Sequence, residues 1–202
     1  MTNRVDIKAR AKANFTGQYG MSLGAFVVYA VLTGVASSTF VGGLLLVPPL
    51  MVGYAFFSLR IYRGQQGDIG ELFSVGFQDY GRALGGILWM ELFTFLWSLL
   101  FIIPGIIKAL AYFATPYILA DTQRVPATEA LKLSMRMTKG HKGKIFVMGL
   151  SFIGWMLLFG ITFGIVGLLY AGPYMSTSFA GMYDELKAEA LRTGVIRPEE
   201  LV

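Results

Sequence analysis

The residue of this sequence best placed to do chemistry is an acid within an apolar stretch. Residues 83–120 contain two charged side chains, those of Glu91 and Lys108. An ionised carboxylate inside a membrane-spanning helix costs roughly 2.5 kcal/mol or more, so such an acid is a candidate functional group. Glu91 could serve as a proton relay, as a cation site or as one half of an ion pair. The alternative is a protonated carboxyl that is hydrogen-bonded to Ser, Thr or Tyr of a neighbouring helix.

Lys108 is the second candidate functional residue within this stretch. It follows Pro104 by about one helical turn, so its ammonium group could extend outward to lipid headgroups. Helix rise places Glu91 roughly 18 Å and Lys108 roughly 6 Å below the outer turn. A direct ion pair would therefore strain both side chains, and we expect Lys108 to extend to headgroups instead.

A basic segment later in the chain supplies candidate contacts to lipid headgroups. These candidates are Lys132, Arg136, Lys139, Lys142 and Lys144. The segment that Pro126 and Thr128 open and Gly140 closes is predicted to be an amphipathic helix, with Leu131 and Met135 on the face opposite its charges. Helices of this kind lie in the headgroup plane, where Lys and Arg attract anionic lipid. Generic anchoring and specific lipid recognition both fit this pattern.

The remaining polar residues do not form a recognisable catalytic or metal-binding motif. The chain has no Cys and one His, and it has no phosphate loop, dinucleotide fingerprint, zinc motif or nucleophile elbow. We therefore expect no catalytic residue, no metal and no cofactor. His141 is expected to be a surface residue in a basic turn, and Asp121 and Arg124 are expected to form a capping or interfacial pair.

The elements that position these residues are predicted from where charges are absent. Charged residues make up 14% of the chain and hydrophobic residues 55%, whereas roughly a quarter of a soluble domain is charged. Charge-free stretches at 13–59 and 145–183 are each long enough for two membrane crossings of about 20 residues. The sequence thus predicts an all-α, polytopic transmembrane helix bundle. Its six spans are placed near 19–37, 44–62, 84–103, 105–121, 145–163 and 167–186.

The six spans are predicted to pair into three helical hairpins that form one membrane domain, 1–202. Each hairpin is preceded by a short interfacial amphipathic helix, and Asp68 and Glu71 have the spacing of a capping box before the second hairpin. The hairpin units are placed near 8–63, 68–122 and 126–187, with a cytoplasmic tail at 188–202. The predicted turns contain Gly or Pro at 42–43 followed by 48–49, at 103–105, and at 160, 164 and 167. Kinks are expected at Pro116 and Pro173.

The distribution of Lys and Arg predicts the topology of the chain. With six spans and the N-terminus in the cytoplasm, Lys108 is the one basic residue of 17 that falls on the outer side. This asymmetry predicts a multi-pass protein of the cell membrane with both termini in the cytoplasm. It also accounts for the pI of about 9.5, so we expect no nucleic-acid partner.

Several stretches of this sequence resemble a known family. They are LWSLLFIIPGIIKALAYFATPYILAD at 96–121, EALKLSMRMTKGHKGKIFVMGLSFIGWMLL at 129–158, PYMSTSFAGMYDEL at 173–186 and IKARAKANFTGQYG at 7–20. Together they resemble the bacterial membrane-protein family called domain of unknown function 975, which is common in Gram-positive bacteria. The family is similar in outline to the membrane domain beside some glycerophosphodiester phosphodiesterases. The resemblance implies a fold and a membrane location, includes Lys108 in an IPGIIK motif, and implies no activity.

Three functional hypotheses follow from the sequence. The favoured one is a non-enzymatic membrane protein with a structural, accessory or protective role, which binds anionic lipid of the cytoplasmic leaflet, a membrane-protein partner or a second copy of itself. The alternative is a small carrier or channel for an ion, lipid or small solute that uses Glu91. The third is a membrane-embedded enzyme that acts on lipid headgroups through Glu91, Asp121 or His141.

Overall fold

The computed structural model describes residues 3–162 and 164–201. Residues 1, 2, 163 and 202, which include the last residues of the predicted fifth span and of the predicted tail, lie outside this description. The regular elements of the described residues are all helical, which confirms the predicted all-α fold. In chain order they are α1 Arg4–Gly17, α2 Tyr19–Ser37, α3 Phe40–Tyr62, α4 Gly70–Gln78, α5 Tyr80–Leu100, α6 Ile102–Tyr112, α7 Thr115–Asp121, α8 Ala127–Thr138, α9 Lys142–Leu150, α10 Ile153–Ile161, a π-helical turn Gly167–Ala171, α11 Gly172–Arg192 and a 3-10 turn Pro198–Leu201.

Five helical segments of the described residues are long and apolar enough to cross a membrane. They are Tyr19–Ser37, Phe40–Tyr62, Tyr80–Leu100, Ile102–Asp121 and Lys142–Ile161. The predicted sixth span, 167–186, is also helical in the structure, but it carries three consecutive hydroxyl residues, Ser176, Thr177 and Ser178, of which the last two are buried. The helical membrane-protein architecture is therefore supported, and the six-span arrangement stays a prediction.

The turn of the first hairpin lies earlier than the sequence predicts. The helix breaks at Ser38 and Thr39, and the Thr39 hydroxyl accepts a hydrogen bond of 3.1 Å from the backbone N–H of Gly42. Residues 42–43 thus belong to the first turn of α3, and residues 48–49, two prolines, lie inside it. Proline at 49 leaves the carbonyl of Leu45 without its helical donor. The Tyr80 hydroxyl donates to that carbonyl at 3.0 Å and so satisfies the acceptor that Pro49 frees.

The α-helix is interrupted directly before both of the deeper prolines, where kinks are predicted. Before Pro116, the helix breaks between α6 and α7. The backbone groups freed at this break bond to Ser134 of α8, whose hydroxyl donates to the carbonyl of Ala111 at 2.8 Å and accepts from the N–H of Ala114 at 3.1 Å. The π-helical turn lies directly before Pro173. The second predicted turn is confirmed within a few residues, because the chain is extended at Phe101 and residue 104 lies in the first turn of α6.

A further break, which the sequence does not predict, divides the fifth span at Ser151 and Phe152. Lys8 of α1 contacts this break. Its ammonium group donates to the Ser151 carbonyl at 3.4 Å and to the Ser151 hydroxyl at 3.2 Å, and it lies 4.1 Å from the centroid of the Phe152 ring. The first helix therefore packs on the third hairpin, which is far from it in sequence.

The helix before the second hairpin packs along the side of α3. A Cβ added at Gly53 would lie 1.9 Å from the Leu72 carbonyl oxygen, and one added at Gly76 would lie 2.3 Å from the Pro49 carbonyl oxygen. Both contacts require glycine because the two backbones touch. The predicted capping box does not form, since α4 begins after Ile69 without a side-chain cap. The Asp68 carboxylate accepts from the N–H of Gly70 at 2.8 Å, but Glu71 pairs with Arg60 of α3.

Candidate functional site

Glu91 lies near the middle of α5. The helix begins at Tyr80 and ends at Leu100, so the acid lies roughly 16 Å from one end and 14 Å from the other by helix rise. The sequence places it closer to the inner end, because the predicted span begins four residues later. The Glu91 side chain is exposed on the outside of the bundle. No residue in 3–162 or 164–201 forms a hydrogen bond or ion pair with its carboxylate, and Tyr29 lies within electrostatic range of it.

Lys108 contacts aromatic rings and not Glu91. Its ammonium group lies 4.9 Å from the ring centroid of Trp97 on α5 and 5.8 Å from that of Tyr112 on α6. At these distances the electron-rich ring faces attract the cation. The side chain of Lys108 is half-buried between these two helices. The two predicted functional residues are therefore not brought together.

An apolar groove of about 860 Å³ opens beside Glu91. We call this cavity the Glu91 groove. Its walls come from α3, α5, α6, α7, α9, α10 and α11, and of the described residues that line it only Glu91 carries a formal charge. The hydroxyls of Thr94 and Ser98, further along α5, also line it. The aromatic residues of its lining are Phe95, Tyr112, Phe113, Tyr117, Phe146 and Phe179.

The polar oxygens of α5 in this groove are hydrogen-bond acceptors. The Thr94 hydroxyl donates its proton to the Met90 carbonyl at 2.7 Å, and the Ser98 hydroxyl donates to the Thr94 carbonyl at 2.8 Å. Each hydroxyl oxygen keeps lone pairs after its proton is used in this way. An ionised Glu91 carboxylate is an acceptor as well. This wall of the groove therefore suits a ligand that donates hydrogen bonds or carries positive charge.

A cluster of charged side chains joins the C-terminal ends of α3 and α7 to the middle of α11. We call it the Arg63 cluster; its members are Arg63, Asp121, Tyr183, Asp184 and Lys187. Arg63 donates to Asp121 in a bidentate pair at 2.7 and 3.1 Å and to Asp184 at 2.6 Å. Asp121 also accepts from Tyr183 at 3.2 Å and from Lys187 at 2.5 Å. The predicted pair of Asp121 with Arg124 is wrong, because the Asp121 carboxylate faces the ends of the other two hairpins.

The charges of this cluster balance one another. Two cations face two carboxylates, and the Asp121 side chain is 9% exposed. Burial lowers the pKa of the Arg63 guanidinium, but hydrogen bonds and charges from Asp121 and Asp184 outweigh burial and raise that pKa. Because each of these groups is paired, the cluster is better suited to connecting the helices than to binding a ligand.

The Arg63 cluster has a sequence signal that the analysis of single motifs missed. Arg63, Asp121 and Asp184 each lie at or near the end of the second long helix of a predicted hairpin. Their spacing, 58 and then 63 residues, follows from their numbers in the sequence. Charges of opposite sign at matching positions of the three predicted hairpins could have indicated an ion cluster that joins them.

The predicted headgroup contacts have different surroundings in the structure. Lys132 pairs with Glu129 at 2.6 Å on the exposed face of α8. Arg136 pairs with Glu200 of the C-terminal 3-10 turn and donates to the Val195 carbonyl, so it fastens the end of the chain to α8. The other three predicted headgroup contacts differ in exposure: Lys139 and Lys144 are exposed and Lys142 is half-buried.

The residues of the enzyme hypothesis are not assembled into one site. Asp121 belongs to the Arg63 cluster, Glu91 to the groove, and His141 precedes the first turn of α9. No hydrogen bond or ion pair connects these three residues in the described part of the chain. Nor do the described residues contain a group of three or more His, Asp or Glu that could hold a metal ion. The absence of catalytic and metal-binding residues stays a prediction.

Comparison with known proteins gives a match to a family over part of the chain. Residues 99–190 match the family described as "Protein of unknown function (DUF975)". The family expected from the sequence is thereby supported over this part of the chain. The match includes Lys108, Asp121 and Asp184, whereas Arg63 and Glu91 precede it. No curated protein and no solved structure matches the chain.

Proposed function

We propose that the chain is a non-enzymatic, multi-pass protein of the cell membrane with both termini in the cytoplasm. In this proposal it binds anionic lipid headgroups through the basic residues at the α8–α9 turn, in a structural, accessory or protective role. The observation that carries the proposal is the abrupt change from cationic to exposed apolar side chains at the start of α9.

The change occurs over about one helical turn. Lys142 and Lys144 lie in the first turn of α9, and the next exposed side chains on this helix include Phe146 and Leu150, which are 46% and 47% exposed. Four residues of helix span about 6 Å, which is the scale of the boundary between headgroups and hydrocarbon. The lysines would lie among the headgroups and the apolar side chains among the acyl chains.

The position of these lysines also favours an anion. Cations at a helix N-terminus are unfavourable because that end of the helix dipole is positive, and α9 has no side-chain cap there. A phosphate group near Lys139 and Lys142 would offset both charges, and the helix N-terminus itself favours an anion. Each Lys near an anionic surface contributes about 1 kcal/mol of binding free energy.

Native mass spectrometry of the full-length protein from mixed micelles tests this proposal. The micelles would contain phosphatidylglycerol and phosphatidylcholine in equal amounts, and the ratio of bound lipids would be measured. We expect wild type to retain phosphatidylglycerol preferentially. Changing Lys139, Lys142 and Lys144 together to Gln should remove most of this preference, since about 3 kcal/mol of attraction is lost at most.

The matched control is Arg192→Gln, because this exposed arginine already pairs with Glu189 at 2.8 Å within α11. It should leave the lipid ratio unchanged. A triple variant that still prefers phosphatidylglycerol as strongly as wild type would refute the proposed role of the α8–α9 turn.

The second candidate function is a carrier or channel for an ion, lipid or small solute that uses Glu91. The Glu91 groove favours it, because a mid-helix carboxylate faces a cavity large enough for a small molecule. A flux assay in liposomes tests this function directly. Transport that depends on Glu91 would support it, and flux that is equal for wild type and Glu91→Gln would count against it.

A further inference from the structure

We propose that the Glu91 groove binds an organic cation with an apolar body. The proposal names a ligand class for the groove and deepens the carrier hypothesis. Only transport of the ligand depends on the carrier hypothesis, because a chain can bind such a ligand without moving it across the membrane.

The first argument is the charge of the groove. Its described lining residues carry one formal charge, that of Glu91, and no Lys or Arg is among them. No described residue pairs with this carboxylate. An ionised carboxylate in an apolar setting is costly unless a cation compensates it. An anion would be repelled by the same group.

The second argument concerns Lys108, the other charged residue of the stretch 83–120. Lys108 lies on α6, the partner helix of α5 in the hairpin, and could in principle have neutralised Glu91. Its ammonium group is instead held between the rings of Trp97 and Tyr112. Lys108 thus does not compensate the charge of Glu91, and a cationic ligand could supply that compensation.

The third argument is the chemistry of the walls. Thr94 and Ser98 add acceptor oxygens to the same wall as Glu91, and no donor of α5 competes for them. The aromatic residues across the groove offer faces that attract cations and also bury apolar surface. A neutral acyl chain would use the aromatic walls and leave the acceptors unused. A small hydrated ion would use the acceptors and leave the walls unused.

The fourth argument is size. The groove has a volume of about 860 Å³, within the roughly 300–1,000 Å³ of small-molecule sites in proteins. An organic cation with several rings or a medium alkyl chain fills such a volume. The shape and charge of the groove therefore point to one molecule that combines a positive centre with an apolar body.

Equilibrium dialysis with a pair of shape-matched ions tests the proposal. The probes are tetraphenylphosphonium, an apolar cation, and tetraphenylborate, an anion of nearly the same size and shape. The full-length protein in nanodiscs of neutral lipid is dialysed against each probe, with empty nanodiscs as the blank. We expect saturable binding of tetraphenylphosphonium at one site per chain and no saturable binding of tetraphenylborate.

Two variants connect binding to the groove. Glu91→Gln keeps the shape of the side chain and removes its charge, and it should weaken tetraphenylphosphonium binding about tenfold or more. Gly149→Leu keeps Glu91 and fills the cavity. Gly149 lines the groove, and a Cβ added there meets no atom within 4 Å. This variant should therefore fold and should also lose binding.

The controls are Glu129→Gln, an equal change of charge at an exposed position of α8, and Gly154→Leu, an equal change of size at an exposed position of α10. Both should bind the probe like wild type. Size-exclusion profiles and helical circular dichroism in nanodiscs check that every variant is folded.

The proposal is overturned if folded Glu91→Gln or Gly149→Leu binds tetraphenylphosphonium like wild type. It is equally overturned if wild type binds tetraphenylborate as well as its cationic partner, or binds neither probe. Binding that depends on Glu91 without flux of the same probe in liposomes would support the proposed ligand class and refute the carrier function. Failure of the proposed ligand class can thus be told apart from failure of the carrier function.

Discussion

Replacing Arg63 by Ala should destabilise the helix bundle more than any comparable surface substitution. Arg63 donates to two carboxylates on two other hairpins, Asp121 and Asp184. Hydrogen bonds between charged groups contribute roughly 1.5–3 kcal/mol each, and removing one partner of a buried ion pair costs about 3–5 kcal/mol. The Arg63 and Asp184 side chains are 28% and 24% exposed, and Asp121 keeps its bonds to Tyr183 and Lys187. Hydration and these remaining partners reduce the expected loss to about 2–4 kcal/mol.

Titration of the full-length protein in mixed micelles with SDS measures this loss, with tryptophan fluorescence and far-ultraviolet circular dichroism as independent signals. The control is Arg192→Ala. Arg192 also pairs with a carboxylate, but within one helix and with a side chain that is 71% exposed. Its removal should cost about 0–0.5 kcal/mol.

A double-mutant cycle separates the ion pair from other effects of the substitution. Arg63→Ala and Asp121→Asn should show a coupling energy of about 1–3 kcal/mol. If Arg63→Ala costs no more than Arg192→Ala, or if the coupling energy is near zero, the Arg63 cluster does not hold the three hairpins together and this reasoning is refuted.

Two further predictions concern close packing and the C-terminal turn. Gly53→Ala should destabilise the protein by about 2 kcal/mol or more, because its Cβ would overlap the Leu72 carbonyl. The control is Gly143→Ala, whose Cβ meets no atom within 4 Å. Equal midpoints of unfolding in SDS for the two variants would contradict the close packing of α3 and α4. Arg136 and the N–H of Arg197 hold the pKa of the Glu200 carboxyl below its ordinary value. The stabilisation of the C-terminal turn is therefore complete above that ordinary value and is lost as the pH falls through the lowered pKa. Hydrogen exchange of the amides at 199–201 should accelerate across that acidic range, and a pH-independent rate after correction for intrinsic exchange would contradict the prediction.

The positions of the helices could be predicted well from the absence of charge. The first predicted span, 19–37, coincides with α2, and the break before Pro116 was expected from the proline alone. Both features depend on local chemistry, namely apolar length and a missing N–H, and such chemistry is visible in a single sequence.

The features that could not be predicted depend on contacts between distant residues. The first turn was placed too late because α3 continues through both prolines. The carbonyl of Leu45, which Pro49 frees, accepts from the Tyr80 hydroxyl, 35 residues away from Leu45. The break at Ser151 involves Lys8, 143 residues away. A sequence without aligned relatives carries no signal for such partners, because each residue is ordinary by itself.

The candidate site was predicted in part. Glu91 was identified from its type and its apolar neighbours, since a lone acid is conspicuous in such a stretch. Its groove was not foreseen, because the lining residues come from seven helices and are aromatic or aliphatic, as core residues are. Arg136 was expected to face lipid, but its partner Glu200 lies in a turn that the sequence pattern did not indicate.

The measurement that tests the account most directly is the topology of the chain in intact cells. The sequence has no Cys, so labelling of a single introduced cysteine reports the accessibility of that position alone. Ser38→Cys lies in the exposed turn between α2 and α3, and Lys139→Cys lies in the exposed turn after α8. We predict that a membrane-impermeant maleimide labels position 38 in intact cells and position 139 only after permeabilisation. Labelling of position 139 in intact cells, with position 38 protected, would contradict the orientation and with it the proposed contact to anionic lipid of the cytoplasmic leaflet.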